Sequence, residues 1–155
     1  MKMKITGGRV IHPALSFAFS MVEFGGSKIQ KYNTLLGTFV PDRTITPYQM
    51  KPSLIISDPE GNIPTGDYAS SMRNVVWTVR LIDGKNVIQM TKGTSATTGD
   101  YYVDTVHALT VRRNVETSQM LSIDFHGEYY NAIRKETTHF EWHKNLKTAD
   151  ETETN

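Results

Sequence analysis

The chain has 155 residues, of which 38% are hydrophobic, 10% aromatic and 21% charged: enough apolar content for one sizeable core and too much for a disordered chain. Seventeen Lys and Arg against sixteen Asp and Glu give a formal net charge of +1, so the overall basic footprint of a nucleic-acid binder is missing. There is no cysteine, which excludes disulfides, thiol catalysis and Cys-ligated zinc.

The N-terminal stretch MKMKITGGRVIHPALSFAFSMVEF begins with lysines and reaches an apolar run. Arg9, His12 and Pro13 interrupt it, it is too short to span a membrane, and no small-residue cleavage site follows, so neither a signal peptide nor a membrane segment is expected. Within it, Leu15, Phe17, Phe19 and Met21 alternate with Ser16, Ala18 and Ser20, the pattern of a half-buried strand. The Gly-Gly pairs at 7–8 and 25–26 lack the spacing of a phosphate-binding loop and read as bends or hairpins.

Residues 40–64 hold five of the six prolines: Pro41, Pro47, Pro52, Pro59 and Pro64. Proline fixes φ and lacks an N–H, so this spacing is expected to forbid both a helix and a central strand. The segment reads as a stiff boundary between an N-terminal β arm, residues 1–45, and a sandwich, residues 46–146. Pro52 is expected at the start of the first sandwich strand, SLIIS, and Pro59 and Pro64 in the loop leaving it. A short helical turn is expected near Ala69 to Arg73.

NVVWTVRLI, Asn74 to Ile82, is apolar enough for a central strand, and Asp83-Gly84 between two strand-like runs is a strong hairpin signal. DYYVDT and HALTVRR read as two short strands or one bent strand. In MLSIDFHGEYY, Leu121, Ile123 and Phe125 fall on one face, opposite Ser122, Asp124 and His126; RKETTHFEW is the last strand. Residues 147–155 read as a flexible polar tail. Close-spaced strands with turns and no helical period indicate an all-β fold, an antiparallel sandwich or barrel, with Ile55, Trp77, Val79, Leu109, Leu121, Ile123 and Phe125 as candidate core.

No stretch reads as a catalytic motif. His139, Glu141 and His143 share one face of a strand and carry metal-ligand chemistry, but no zincin helix accompanies them, and a solvated sheet face with Phe140 and Trp142 packed inward is the expected reading. Asp124, His126 and Glu128 alternate outward on another strand and read as a polar face, since acid–base work needs a cleft. DPEGN and DGKN lack the acidic residues of a calcium loop and read as turns. Tyr101, Tyr102, Tyr129, Tyr130 and Trp142 offer an aromatic platform, although adjacent tyrosines on a strand face opposite ways. Neither VRRNV nor IRKET has interleaved aromatics. No metal or cofactor is expected.

The strand order, with Trp77 in VVWTV and the later ALTV and LSIDFHGEY, resembles an immunoglobulin-like sandwich without its cysteine pair. More closely, Pro41–Thr44, Thr46–Pro47, Asp58–Gly61, Val75–Trp77 and Arg113–Val115 are similar to motifs in Ig-like segments of structural proteins from bacteriophages and prophages of gut bacteria. Those motifs are turn and core residues, so the resemblance implies an antiparallel immunoglobulin-like β-sandwich and a structural role without catalysis. It also implies a virion location after assembly in the bacterial cytoplasm, with copies of the chain and other virion proteins as partners. Phe17, Phe19, Met21 and Phe24 on the arm form the candidate assembly face. A carbohydrate-binding or adhesin-like module using the exposed Tyr and Trp is the alternative.

Overall fold

The computed structural model describes residues 13–150 in full and, before them, the backbone of a strand pair, β1 (Lys4–Thr6) and β2 (Arg9–Ile11). Gly7 and Gly8 lie outside the described residues.

Two antiparallel sheets pack face to face, as in a β-sandwich. In the first, β3 (Ser16–Gly25) pairs with β6 (Tyr48–Ser57) from Ser16↔Ser57 to Gly25↔Gln49, with a register shift between Glu23 and Gly25. The other side of β6 carries β11 (Leu109–Val111) at Tyr48–Met50 and the short β7 (Gly66–Asp67) at Ile55–Ile56, and β10 (Tyr101–Val103) lies beyond β11. The second sheet runs β13 (Glu136–Leu146), β12 (Gln119–Asn131), β8 (Arg73–Asp83), β9 (Asn86–Ile88). A smaller sheet joins β4 (Gln30–Asn33) to β5 (Thr38–Val40) on one side and, in parallel, to β14 (Thr148–Asp150) on the other. The only helical element among the described residues is a 3-10 turn at Ala69–Ser71, where a helical turn is expected.

Alternation builds the core. Leu121, Ile123 and Phe125 of β12 face Trp77, Val79 and Leu81 of β8 within their own sheet and, across the sandwich, Leu54, Ile56 and Leu109. Phe19 stacks on Phe125 with ring centroids 5.6 Å apart, and Trp77 meets the same ring edge-on at 4.9 Å. The Trp77 indole N–H donates to His107 O at 3.0 Å, so the largest core side chain also has its polar atom satisfied. Gly84, at φ +61°, takes the first central position of the β8–β9 hairpin, as a type II′ turn requires.

The structure departs from sequence expectation at four places. Residues 16–25, expected in a separate arm, form a strand of the main sheet, and Phe17 and Phe19 pack on Phe140 at 5.5 and 5.1 Å. Ile55, expected in the core, is 39% exposed, because β6 turns Tyr48, Met50, Pro52, Leu54 and Ile56 inward and leaves Ile55 opposite Ala18 on the outer face. Pro52 sits in the middle of β6 and not at its start. Its neighbour in phase, Leu54, directs its N–H to Asp67 Oδ1 on the side away from β3; the same parity turns the missing Pro52 N–H into the gap between β11 and β7, where no ladder bond is lost. Finally, the expected polar tail is built into the fold over Thr148–Asp150, where Thr148 is buried and β14 pairs with β4; residues 151–155 lie outside the described residues.

Candidate functional site

The four side chains expected to form an assembly face do not share one. Phe17, Phe19 and Met21 point inward and pack against the core, whereas Phe24, one residue out of phase, lies 48% exposed on the outer face with Lys51 Nζ 5.5 Å from its ring. What β3 presents outward is its backbone. Phe19 stands opposite Leu54, whose N–H and C=O are both used on the far side of β6 by Asp67 Oδ1 and Tyr68 N. The pair is therefore of the non-hydrogen-bonded kind, and the peptide groups of Phe17, Phe19 and Met21 face away from β6 along the free edge of the sheet. From Ser16 to Val22 this edge carries neither charge nor proline. Its side chains are only half buried although they point inward, because no described strand flanks β3. The edge strand opposite, β13, has the usual protection: Glu136, Glu141 and Lys144 along its length.

The outward face of β12 and β13 resolves the histidines. A strand rises about 3.3 Å per residue, so His139, Glu141 and His143 stand too far apart to converge on one ion, and each meets its cross-strand neighbour. His143 Nδ1 lies 2.6 Å from Asp124 Oδ1, whose other oxygen is 3.5 Å from Arg80 Nη2. His126 Nδ1 is 3.8 Å from Glu141, and His139 Nδ1 is 4.0 Å from Glu128, which also accepts a hydrogen bond from Asn74 Nδ2 at 2.9 Å. An open depression of about 420 Å³ lies over these rungs between Val76 and His143. Among the described residues no group of three or more His, Asp or Glu side chains is placed to hold a metal ion. Each rung sets an imidazole against a carboxylate on a solvated face.

The aromatic residues are divided between faces and sheets. Tyr129 is 8% exposed and meets Phe17 and Tyr68 edge-on, Trp142 packs on Trp77 at 6.4 Å, and Tyr101 packs against the core from the other sheet. Tyr130 faces outward beneath the Arg73 guanidinium, 4.3 Å from its ring centre. No common platform results.

Two features carry little sequence signal. The first is a buried polar hub on Gln30, 1% exposed. Its Oε1 accepts from Arg43 Nη1 at 3.1 Å, Val115 N at 3.0 Å and Thr148 Oγ1 at 3.0 Å, and its Nε2 donates to Pro41 O at 2.8 Å and Asn114 Oδ1 at 2.7 Å. Asn114 also accepts from Arg43 N and donates to Asp42, so the PDRT and RNV motifs meet in one network. Arg43 is equally buried, has no carboxylate partner among the described residues and leaves Nε unbonded; burial pushes its guanidinium below the ordinary arginine value, opposed by the nearby Tyr48. The second is the β4–β5 hairpin tip, where Leu35 and Leu36 are 86% and 74% exposed. Asn33 and Gly37 bracketing an apolar pair are the trace it leaves in the sequence.

No protein-family model matches this chain, and no curated protein or solved structure matches it either.

Proposed function

We propose that this chain is a non-enzymatic assembly protein with an immunoglobulin-like sandwich, joined to neighbouring subunits by strand addition along β3. The observation that carries the reading is the edge from Ser16 to Val22, unpaired among the described residues, uncharged and lying over half-buried Phe17, Phe19 and Met21. Such an edge is a template for another strand, and most soluble proteins blunt it. An added strand satisfies the outward peptide groups of Phe17, Phe19 and Met21 and completes the cover of their side chains. Each main-chain bond contributes about 0.5–1.5 kcal/mol net, so most of the stabilisation has to come from apolar burial. Closed rings are the ordinary result of head-to-tail contacts of this kind. A phage or prophage particle is the setting that the PDRT, DPEG and VVW motifs imply, with other virion proteins as further partners.

The test is light scattering over a concentration series on the full chain and on the double variant Ala18→Lys, Ser20→Lys, which places two cations on the exposed side of the edge without touching the core. The parent is expected to form larger species than the variant at each concentration and to protect its β3 amides as concentration rises, and the variant to lose both effects with the same thermal midpoint. A parent that remains monomeric at high concentration, with β3 amide exchange independent of concentration, refutes the reading.

A further inference from the structure

From the hairpin β4–β5 and the groove at its base, we infer a second interaction surface, distinct from the β3 edge, that takes another copy of this chain. The tip is a built knob. Asn33 Oδ1 accepts from Leu35 N at 3.0 Å and Leu36 N at 3.1 Å, Gly37 N donates to Asn33 O at 2.8 Å, and Gly37 closes the turn at φ +66°. Behind it Tyr32 and Phe39 pack ring on ring at 4.9 Å, and the Gln30 hub ties the base of the hairpin to the body. Two leucines held outward on a stiff support lose little conformational freedom when a partner covers them.

The hole lies on the same element. A groove of about 350 Å³ runs between Tyr32, Gly37 and Phe39 of the hairpin and Glu116, Thr117 and Ser118 of the loop before β12. A further depression of about 340 Å³ shares Phe39 and Glu116 with it and reaches Arg112. The chain's own leucines do not fill the groove, since the Asn33 turn carries them outward. Knob and hole side by side on one surface are the condition for an isologous contact: a two-fold axis between them sets each copy's Leu35 and Leu36 into the other's groove.

Charge selects the same occupant. Among the described residues Glu116 has no cationic partner and Arg112 no carboxylate; the Arg112 guanidinium bonds only to the carbonyls of Thr97 and Thr44. The two lie in one depression. A two-fold axis brings each Arg112 towards the partner's Glu116, so the patch complements itself. A lipid surface would use the leucines but leave Glu116 facing the headgroups unpaired.

The absence of cysteine makes the contact directly testable. Leu36→Cys and Thr117→Cys single variants, each in the Ala18→Lys, Ser20→Lys background that blocks the β3 edge, are mixed in equal amounts and oxidised. Mixed disulfide dimers in clear excess over Leu36→Cys self-dimers are the expected result. In the same background, Leu35→Asp with Leu36→Asp is expected to weaken dimerisation about a hundredfold or more, from the two apolar side chains left in water. Both leucines are exposed, so the thermal midpoint should not move. Absence of mixed dimers overturns the inference. So does leucine-dependent pelleting with vesicles of phosphatidylcholine and phosphatidylglycerol by a chain that stays monomeric, which would assign the tip to a lipid surface. Because the edge is blocked throughout, these outcomes are independent of how β3 behaves.

Discussion

Replacing Gln30 with alanine removes the one side chain that joins β4, the Pro41–Arg43 segment, the start of the 114–118 loop and β14. Two donors then have no protein acceptor: Val115 N, on a residue with no exposed surface, and Arg43 Nη1, on a guanidinium 1% exposed. Thr148 Oγ1 can turn elsewhere, and Asn114 Oδ1 keeps its bond from Arg43 N, so these two count for little. An orphaned buried donor costs about 1–3 kcal/mol, with a charged one at the upper end, and water entering the vacated space recovers part of it. The net loss is about 4 kcal/mol, a large share of the roughly 5–15 kcal/mol that stabilises a domain. With a urea m-value of about 2 kcal/mol/M, the unfolding midpoint should fall by about 2 M. Thr148→Val, which removes one donor from an acceptor that keeps two others, should cost about 1 kcal/mol and shift the midpoint by about 0.5 M. Urea unfolding followed by Trp fluorescence measures both. If Gln30→Ala shifts the midpoint no more than Thr148→Val does, the hub does not hold these segments together and the reasoning fails.

Gly26, at φ +66°, packs on the chain before β6. A Cβ there would stand 2.8 Å from the Pro47 carbonyl carbon and 3.0 Å from Tyr48 Cα and overlap the Pro47 oxygen, so Gly26→Ala should cost about 2–4 kcal/mol, read as a lowered thermal midpoint. Asp67 gives a pH signature. Burial pushes its carboxyl up, but hydrogen bonds from Leu54 N, Ala69 N and Ser53 Oγ, with Lys51 nearby, bring it below the ordinary value. A lowered folded-state value means that its stabilisation is fully present above about pH 4, the unfolded value, and is lost as pH falls through the folded one. Asp67→Asn should therefore be less stable at pH 6 and lose less on going to pH 3; equal acid slopes for the two chains would refute the assignment.

What the sequence determines is what local pattern can carry. Period-two alternation in β8 and β12 marks Trp77, Val79, Leu121, Ile123 and Phe125 as inward because a pleated strand leaves no other choice, and Asp83-Gly84 marks a hairpin because glycine supplies the positive φ that the turn needs. The same alternation puts His139, Glu141 and His143 on one face, but the pairs they form depend on register with β12, which is a non-local quantity. Partners across sheets were beyond reach for the same reason. SLIIS is apolar at Leu54, Ile55 and Ile56 alike, and only pairing with β3 decides that Ile55 is the one left outside. Pro52 reads as a boundary until the gap between β11 and β7 shows where a missing N–H costs nothing. Gln30 and Thr148 look like surface residues of short polar stretches, and it is the docking of β14 beside β4 that buries them. Composition and period thus fix the elements and their inward faces, since those follow from bonds within a strand; the tertiary structure alone decides which edge stays open and which leucines stay exposed, since those follow from where strands end relative to one another.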